Sequence, residues 1–131
     1  GPAPASRYPI RTPEDAARLL LPLMRYLDRE HFRAILVNTK HEVMAVAEVA
    51  VGNLDSAPIH PREVFKEAVR RSAAAVIVAH NHPSGDPEPS GDDLTITERL
   101  RAAGRIVGID VLDHLIIGNG TFVSLRERGV L

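Results

Sequence analysis

The chain has 131 residues, of which 44% are hydrophobic and 25% are charged, a composition typical of one globular domain. It contains no cysteine, which excludes disulfides, thiolate-bound zinc and thiol nucleophiles. Any metal ligands must therefore be nitrogen or oxygen atoms, from the six histidines or the carboxylates. The net charge of -1 does not favour nucleic acid or a membrane as the main partner.

No apolar run approaches the ~20 residues that a membrane span needs, and the first residues carry no signal-peptide pattern. These features predict a soluble, cytoplasmic protein. The Pro- and Ala-rich stretch at residues 1–11 is predicted to be a flexible lead or a remnant of expression. Residues 12–131 are predicted to form the folded domain.

The first predicted helix begins after Thr12, a good capping residue, with Pro13 at the first helical position. It is predicted to run to about Asp28, because apolar side chains recur at helical spacing: Ala16, Leu19, Leu20, Leu23, Met24 and Leu27. Two β-rich runs, residues 31–38 and 42–50, enclose a short polar turn and predict a hairpin. A loop is expected at residues 52–58.

A second helix is predicted from Pro61 to about Ser72, with a buried stripe formed by Val64, Phe65, Ala68 and Val69. The apolar run at residues 74–79 is typical of a strand that is buried on both faces. Residues 80–89 contain three prolines and a glycine, which predicts a loop.

Ser90 is predicted to cap a third helix that continues to about Val107 and ends at Gly108. Two final strands, residues 110–117 and 121–124, flank a Gly-Asn-Gly turn at residues 118–120. The order of helices and strands predicts an α/β domain in which helices flank a mixed β-sheet.

The most informative residues are His80 and His82, at the end of the buried strand, and Asp93, in the first turn of the third helix. Alternation along an extended chain places both imidazoles on one face, and Pro83 keeps His82 extended. A side chain three residues past the Ser90 cap leans back toward the helix start. Two imidazoles and a carboxylate leave a fourth position for water, as in catalytic zinc sites.

A simpler interpretation exists for each part of this pattern. His-X-His pairs occur in loops without metal, and an acid in the first turn often only complements the helix dipole. The neighbouring Asp92 is the alternative acidic ligand, although the spacing favours Asp93. The convergence of a strand end, a proline-rich loop and a capped helix favours the metal site.

The spacing of His80, His82-Pro83, Ser90 and Asp93 resembles the JAMM (MPN+) motif of zinc metalloproteases, whose deubiquitinating members cleave isopeptide bonds. Within that superfamily the chain is most similar to bacterial RadC-like proteins. Four segments carry this resemblance: His60-Pro61-Arg62-Glu63, residues 80–86, Pro89-Ser90 and Leu112-Asp113-His114. The resemblance implies a single domain of the JAB1/MPN type, with a cytidine-deaminase-like α/β fold, and a zinc ion on His80, His82 and Asp93.

The resemblance further implies an upstream glutamate that activates the attacking water. Glu30 occupies that place, with Glu48 as the weaker candidate, and Ser90 would bind the water or the developing oxyanion. It also implies a further N-terminal helical region in full-length relatives. Asn81 stands where the eukaryotic isopeptidases usually carry Ser or Thr.

A zinc ligand usually donates its second ring N–H to a carboxylate or a carbonyl, and Asp86 and Asp113 are the candidates. The simpler interpretation, which the sequence favours, is that they are acids of a loop and of a strand edge. The remaining histidines match no short ligand-pairing pattern and are not expected to be ligands: His31, His41, His60 and His114.

The predicted ligands, together with the resemblance, imply a zinc-dependent hydrolase that cleaves a peptide or isopeptide bond in a peptide or protein substrate. One alternative is a DNA-repair-associated module that binds nucleic acid, because basic residues form stripes on the second and third helices: Arg62, Lys66, Arg70 and Arg71, then Arg99, Arg101 and Arg105. Another is a catalytically silent interaction domain. Nucleoside deaminases are excluded, because their cysteine ligands are absent. The flanking loops are short, so neither a particular substrate nor an oligomeric state is predicted.

Overall fold

A computed structural model describes residues 8–52 and 59–131 of the chain. The helices of these residues are α1 (Pro13–Met24), α2 (Pro61–Arg70) and α3 (Gly91–Val107). The strands are β1 (Glu30–Val37), β2 (Val43–Gly52), β3 (Ala75–Asn81), β4 (Asp110–Ile117) and β5 (Phe122–Ser124). Side chains cap two of the helices, since Thr12 begins α1 and Ser90 begins α3, each with a reciprocal capping box.

The five strands form one mixed sheet in the order β2-β1-β3-β4-β5. β1 pairs antiparallel with both β2 and β3, β3 pairs parallel with β4, and β4 pairs antiparallel with β5. All residues of the central strand β3 are buried, as expected for a strand covered on both faces. The predicted α/β fold with a mixed sheet and flanking helices is thereby confirmed.

Helices cover both faces of the sheet and create two apolar cores. On one face, α1 packs through Ala16, Leu20 and Met24 against Ile35 and Ile77. On the other face, α2 and α3 enclose a core that includes Phe32, Val64, Phe65, Val78 and Leu100. The side chains of β1 and β3 therefore alternate between the α1 core and the α2/α3 core.

Two predicted helices are shorter than expected. α1 ends at Met24 instead of about Asp28, because Pro22 lacks the N–H for an intrahelical bond and the chain must turn before it enters β1. α2 ends at Arg70, and Ser72 adopts a left-handed φ of 56°. Leu23 and Val69, predicted to be buried, are 50% and 59% exposed because they lie outside the apolar stripes of their helices.

Strand β3 is longer than predicted. It continues through His80 and Asn81, which the prolines of residues 80–89 had assigned to a loop. The reason is pairing with β4, since His80 lies opposite Ile116 and Asn81 opposite Ile117. The loop therefore begins at His82, and His80 is held within the sheet.

The predicted lead at residues 1–11 and the predicted loop at residues 52–58 are described only in part. Residues 1–7 and 53–58 lie outside the described structure, while Gly52 is the last residue of β2. The end of the lead is packed, not flexible: Pro9 pairs with Glu42, and the buried Ile10 donates its N–H to His41 O at 2.9 Å. In the described part of the chain, every helix is too short or too polar to cross a bilayer.

Candidate metal centre

Two elements bring the predicted ligands together. His80 is the next-to-last residue of β3. His82 is the first residue after the strand and begins the loop that leads to α3. Asp93 is the third residue of α3. Because β3 and the start of α3 face each other across this loop, both imidazoles meet the carboxylate at one point.

The ligand atoms are close neighbours. His80 Nε2 is 3.0 Å from Asp93 Oδ1, and His82 Nε2 is 3.1 Å from Asp93 Oδ2. The two Nε2 atoms are 3.1 Å apart. Ligands at 2.0–2.1 Å from a tetrahedral ion are separated by roughly 3.3 Å, so an expansion of a few tenths of an ångström admits one. Among the described residues, these three form the one cluster of His, Cys, Asp and Glu with ligand atoms within 4.8 Å of each other.

A buried hydrogen-bond chain fixes the tautomer of His80. The single hydroxyl proton of Thr97 is donated to Asp93 O at 2.7 Å, so this hydroxyl accepts from His114 Nδ1, which is 2.5 Å away. His114 then has a bare Nε2 that accepts from His80 Nδ1 at 2.8 Å. Burial, followed by the nearby charge of His80, lowers the pKa of His114 and keeps it neutral in this role. The lone pair of His80 Nε2 consequently points at Asp93.

The second ring nitrogen of His82 has a different acceptor. Its Nδ1 lies 2.9 Å from the main-chain carbonyl of Asp86, which can only accept, so the lone pair of neutral His82 is also on Nε2. In the neutral state of both rings, two nitrogen lone pairs thus point at the Asp93 carboxylate, and none of the three groups donates a proton to another. Such an arrangement is repulsive unless a cation occupies it, and it fits the donor set of a metal ion.

The pKa values of the site reflect this concentration of acceptors. Burial tends to raise the pKa of Asp93, but the adjacent imidazoles of His80 and His82, which stabilise the carboxylate once either ring carries a proton, lower it far below its usual range. The Asp93 carboxylate is the main cause of the raised pKa of His82, and the charge of Glu30 acts in the same direction. Without a metal, a proton on His82 therefore supplies the positive charge that the site requires.

The start of α3 orients Asp93. Ser90 Oγ accepts from Asp93 N at 3.1 Å, and Ser90 N donates to Asp93 Oδ2 at 2.9 Å. This capping box holds the carboxylate over the end of β3. The neighbouring Asp92 is exposed and is not part of the cluster, so the structure brings Asp93, and not Asp92, to the two histidines.

The two candidate glutamates lie on opposite faces of the sheet. Glu30 begins β1, and alternation places it on the face of Phe32, whose ring stacks on His80 with centroids 5.8 Å apart. Glu48 lies on the α1 face, where its Oε2 accepts from Arg33 Nε at 2.6 Å and its Oε1 contacts His31 Nδ1. The geometry therefore brings Glu30, and not Glu48, toward the ligand cluster.

The expected carboxylate partners of the ligands are not found. Asp86 contacts His82 through its main-chain carbonyl, not through its carboxylate. Asp113 is buried away from the ligands, where it accepts from Ser124 Oγ at 2.6 Å and from the N–H groups of His114 and Arg126. Asp86 therefore serves as an acceptor through its carbonyl, whereas Asp113 does not contact either ligand, and the partner of His80 is another imidazole.

Three of the four remaining histidines lie apart from the ligand cluster and from each other. His31 pairs with Glu48, His41 lies in the β1–β2 turn with a φ of 59°, and His60 precedes α2. His114 is not in the ligand cluster either, but it is fully buried against His80, a role that the sequence prediction missed. The only available signal was its place on a strand next to β3.

The basic stripe on α2 is partly neutralised. Arg70 and Arg71 both bond to Glu67, at 3.1 and 3.2 Å, on the exposed side of the helix. This is the arrangement of a solvated helix face.

Comparison with known proteins identifies the family. The RadC-like JAB domain profile matches residues 10–130. A UPF0758 protein of Moorella thermoacetica is 61% identical over 126 residues, which are 96% of this chain and 55% of that protein. UPF0758 proteins of Desulforudis audaxviator and Chloroflexus aurantiacus are 60% and 58% identical, over 92% and 95% of this chain and 53% and 54% of their own lengths.

The chain spans about half the length of the curated relatives it matches. The names of these relatives state no activity. The profile nevertheless covers both cores, all three ligands and the residues that orient them. On this evidence the chain belongs to the family of RadC-like JAB domains.

Proposed function

We propose that this domain is a zinc-dependent hydrolase that cleaves an amide bond in a peptide or isopeptide substrate. The observation that carries the proposal is the convergence of His80 Nε2, His82 Nε2 and the Asp93 carboxylate, with Glu30 on the same face of the sheet. Metal-binding imidazoles and a carboxylate beside a second, non-ligating acid are the residue types that metal-assisted hydrolysis requires.

Three residues would hold the ion: His80, His82 and Asp93. Zinc suits this donor set, because it accepts imidazole and carboxylate ligands and tolerates three protein ligands with one open position. A bound zinc ion supplies Lewis acidity and lowers the pKa of a coordinated water to near ~7.

Glu30 is proposed to be the general base. A carboxylate at this position would take a proton from the attacking water and return it to the leaving amine, so that the same group serves as base and then as acid. The Ser90 hydroxyl has its oxygen engaged by Asp93 N, which leaves its proton to donate to the developing oxyanion. Ser90 thus combines helix capping with stabilisation of the transition state.

A shallow cleft of about 360 Å³ adjoins the site, with walls that include Arg29, Glu30, Gly52 and Pro83. It is open to solvent, which fits a peptide segment better than an enclosed small molecule. We therefore expect a peptide or protein substrate, with the scissile amide placed between Glu30 and the ligand cluster.

The test is hydrolysis of a mixture of linear peptides and lysine-branched isopeptides by the zinc-loaded domain. Glu30→Gln is expected to keep zinc and to lower kcat/KM by about 10²- to 10⁴-fold, the usual contribution of a general base. The matched control is Glu48→Gln, which removes a carboxylate from the neighbouring strand on the opposite face of the sheet. Its kcat/KM is expected to stay within about threefold of the kcat/KM of the unmodified protein.

Two results would contradict the proposal. One is full activity of zinc-loaded Glu30→Gln. The other is equal loss of activity in Glu30→Gln and Glu48→Gln at equal zinc content, since that would show that proximity to the ligands is irrelevant.

A further inference from the structure

Asn81 lies between the candidate ligands His80 and His82 in the chain. Its side chain is buried but is not part of the ligand cluster. It is 2% exposed, and alternation along β3 directs its side chain away from the face of His80. Its carboxamide reaches the chain that enters β1: Oδ1 accepts from His31 N at 2.7 Å, and Nδ2 donates to Arg29 O at 2.8 Å. Both polar atoms of this side chain are used on main-chain groups 50 or more residues away in sequence.

These bonds replace the backbone pairing at the point where it stops. The antiparallel ladder between β1 and β3 has its last pair at Phe32 and His80. Continued pairing would place His31 opposite Asn81. The carboxamide, which carries the same donor and acceptor as a peptide group, takes over the pairing there.

The two main-chain groups that Asn81 binds lie on either side of Glu30. The Arg29 carbonyl belongs to the peptide unit that precedes Glu30, and the His31 N–H belongs to the unit that follows it. One side chain thus holds both peptide units that flank the Glu30 Cα, while Glu30 pairs with Gly52 on the other side. These contacts restrict the backbone dihedrals that set the direction of the Glu30 side chain.

We propose that Asn81 is a positioning residue for Glu30, which couples the place of the general base to the two histidine ligands on either side of Asn81 in the chain. This inference rests on the role given to Glu30 in the proposed function. An apolar side chain of similar size would leave the Arg29 carbonyl and the His31 N–H without their buried partner, and the entry of β1 would shift. A misplacement of a catalytic group by about 1 Å costs on the order of 10²-fold in rate.

The test compares Asn81→Ala with Asn38→Ala, both alone and combined with Glu30→Gln. Asn38 is a matched control, because its side chain likewise makes two main-chain hydrogen bonds, but at the opposite end of β1. Its Oδ1 accepts from the N–H groups of Lys40 and Glu42, each at 2.9 Å. Asn81→Ser, which keeps a polar side chain, is the second variant for the case in which Asn81→Ala does not fold. Thermal unfolding and metal content are measured first for every variant.

The first readout is hydrolysis by the zinc-loaded proteins. Asn81→Ala is expected to lower kcat about 10- to 100-fold with little change in KM, and Asn38→Ala to leave both nearly unchanged. Combined with Glu30→Gln, Asn81→Ala is expected to cause no further loss, because it acts through Glu30. Additive losses in the double variant would overturn the inference.

The second readout needs no substrate. Co²⁺ replaces zinc, and its visible absorption is followed against pH in all variants. Glu30→Gln is expected to displace the spectral transition, Asn81→Ala to displace it in the same direction by about half a pH unit or more, and Asn38→Ala to match the unmodified protein.

The outcomes separate the two claims. If Glu30→Gln displaces the transition and Asn81→Ala does not, Asn81 has no positioning role although Glu30 keeps its own. If Glu30→Gln has no effect, the proposed function fails and the inference fails with it. If Asn81→Ala and Asn81→Ser both lose the metal, Asn81 supports the ligands and not the base, which also overturns the inference.

Discussion

His114 orients His80 for the role of a metal ligand, although its own nitrogens lie outside the candidate ligand cluster. Because Thr97 donates to Asp93 O, the only consistent assignment runs from His114 Nδ1–H to Thr97 and from His80 Nδ1–H to His114. Orienting partners of this kind fix the tautomer and the ring plane of a ligand. The usual acceptor is a carboxylate or a carbonyl, and an imidazole held neutral by burial takes that place here.

Replacement of His114 by Leu is expected to weaken zinc binding about 10- to 100-fold, because His80 Nδ1–H loses its acceptor while the three ligands remain. His114→Gln, which restores an acceptor, is expected to recover part of the affinity. The measurement is competition with a chromophoric chelator at constant pH. His60→Leu, which alters a histidine outside the site, is the control, and equal affinity of His114→Leu and His60→Leu would refute this role.

Protons and metal are expected to compete for His82. The pKa of His82 is raised above its ordinary 6.5 chiefly by Asp93, so the protonated form is favoured in the metal-free protein. Zinc must displace that proton, and its affinity is therefore full above the raised pKa and falls as the pH is lowered through it. The expected slope is about tenfold per pH unit for the one proton of His82, measured by chelator competition between about pH 8 and 6. An affinity that stays constant over this range would contradict the assignment of His82 as a ligand.

At the scale of elements, the metal centre depends on how the loop after β3 is held against the β4–β5 turn. His82 N donates to Ile117 O at 2.9 Å, and Asn119 N donates to Gly85 O at 3.0 Å. Gly118 makes this approach possible, since a Cβ on it would lie 2.4 Å from Gly85 O and 2.9 Å from the Pro87 ring. The turn thus fixes the loop that presents His82.

Gly118→Ala is expected to push this loop outward, with a cost of about 1–3 kcal/mol in unfolding free energy and a weaker zinc affinity. Urea unfolding of the metal-free protein and chelator competition measure the two effects. The matched control is Gly91→Ala, in the first turn of α3, where a Cβ meets nothing within 4 Å. If Gly118→Ala proves as stable and binds zinc as well as Gly91→Ala, the turn does not hold the loop.

The proximity of the predicted ligands and the Ser90 helix cap, both found in the structure, depend on local sequence. His80, His82, Ser90 and Asp93 are separated by short stretches whose conformation follows from strand alternation and a helix cap. His114 was missed because its contact with His80 arises only from the parallel pairing of β3 with β4. The choice between Glu30 and Glu48 likewise depends on which face of the sheet each side chain occupies. A bulge in the β1–β2 pairing interrupts the alternation of side chains, so the face of Glu48 cannot be predicted from alternation along β2 alone.

For the whole molecule, positive and negative side chains nearly balance, with a net charge of -1. Among the described residues, several exposed charges lie in ion pairs, such as Arg128 with Glu88 and Arg33 with Glu48. The strongest concentration of titratable side chains among the described residues is instead the ligand cluster at the end of β3. The absence of cysteine requires such a centre to consist of imidazole and carboxylate.

The central claim is that His80, His82 and Asp93 hold a metal ion. It is tested most directly by elemental analysis of protein purified without added zinc, with His82→Ala, Asp93→Ala and the exposed neighbour variant Asp92→Ala measured in parallel. We expect about one zinc ion per chain in the unmodified protein and in Asp92→Ala, and almost none in His82→Ala and Asp93→Ala. Full zinc content in both His82→Ala and Asp93→Ala would contradict the claim.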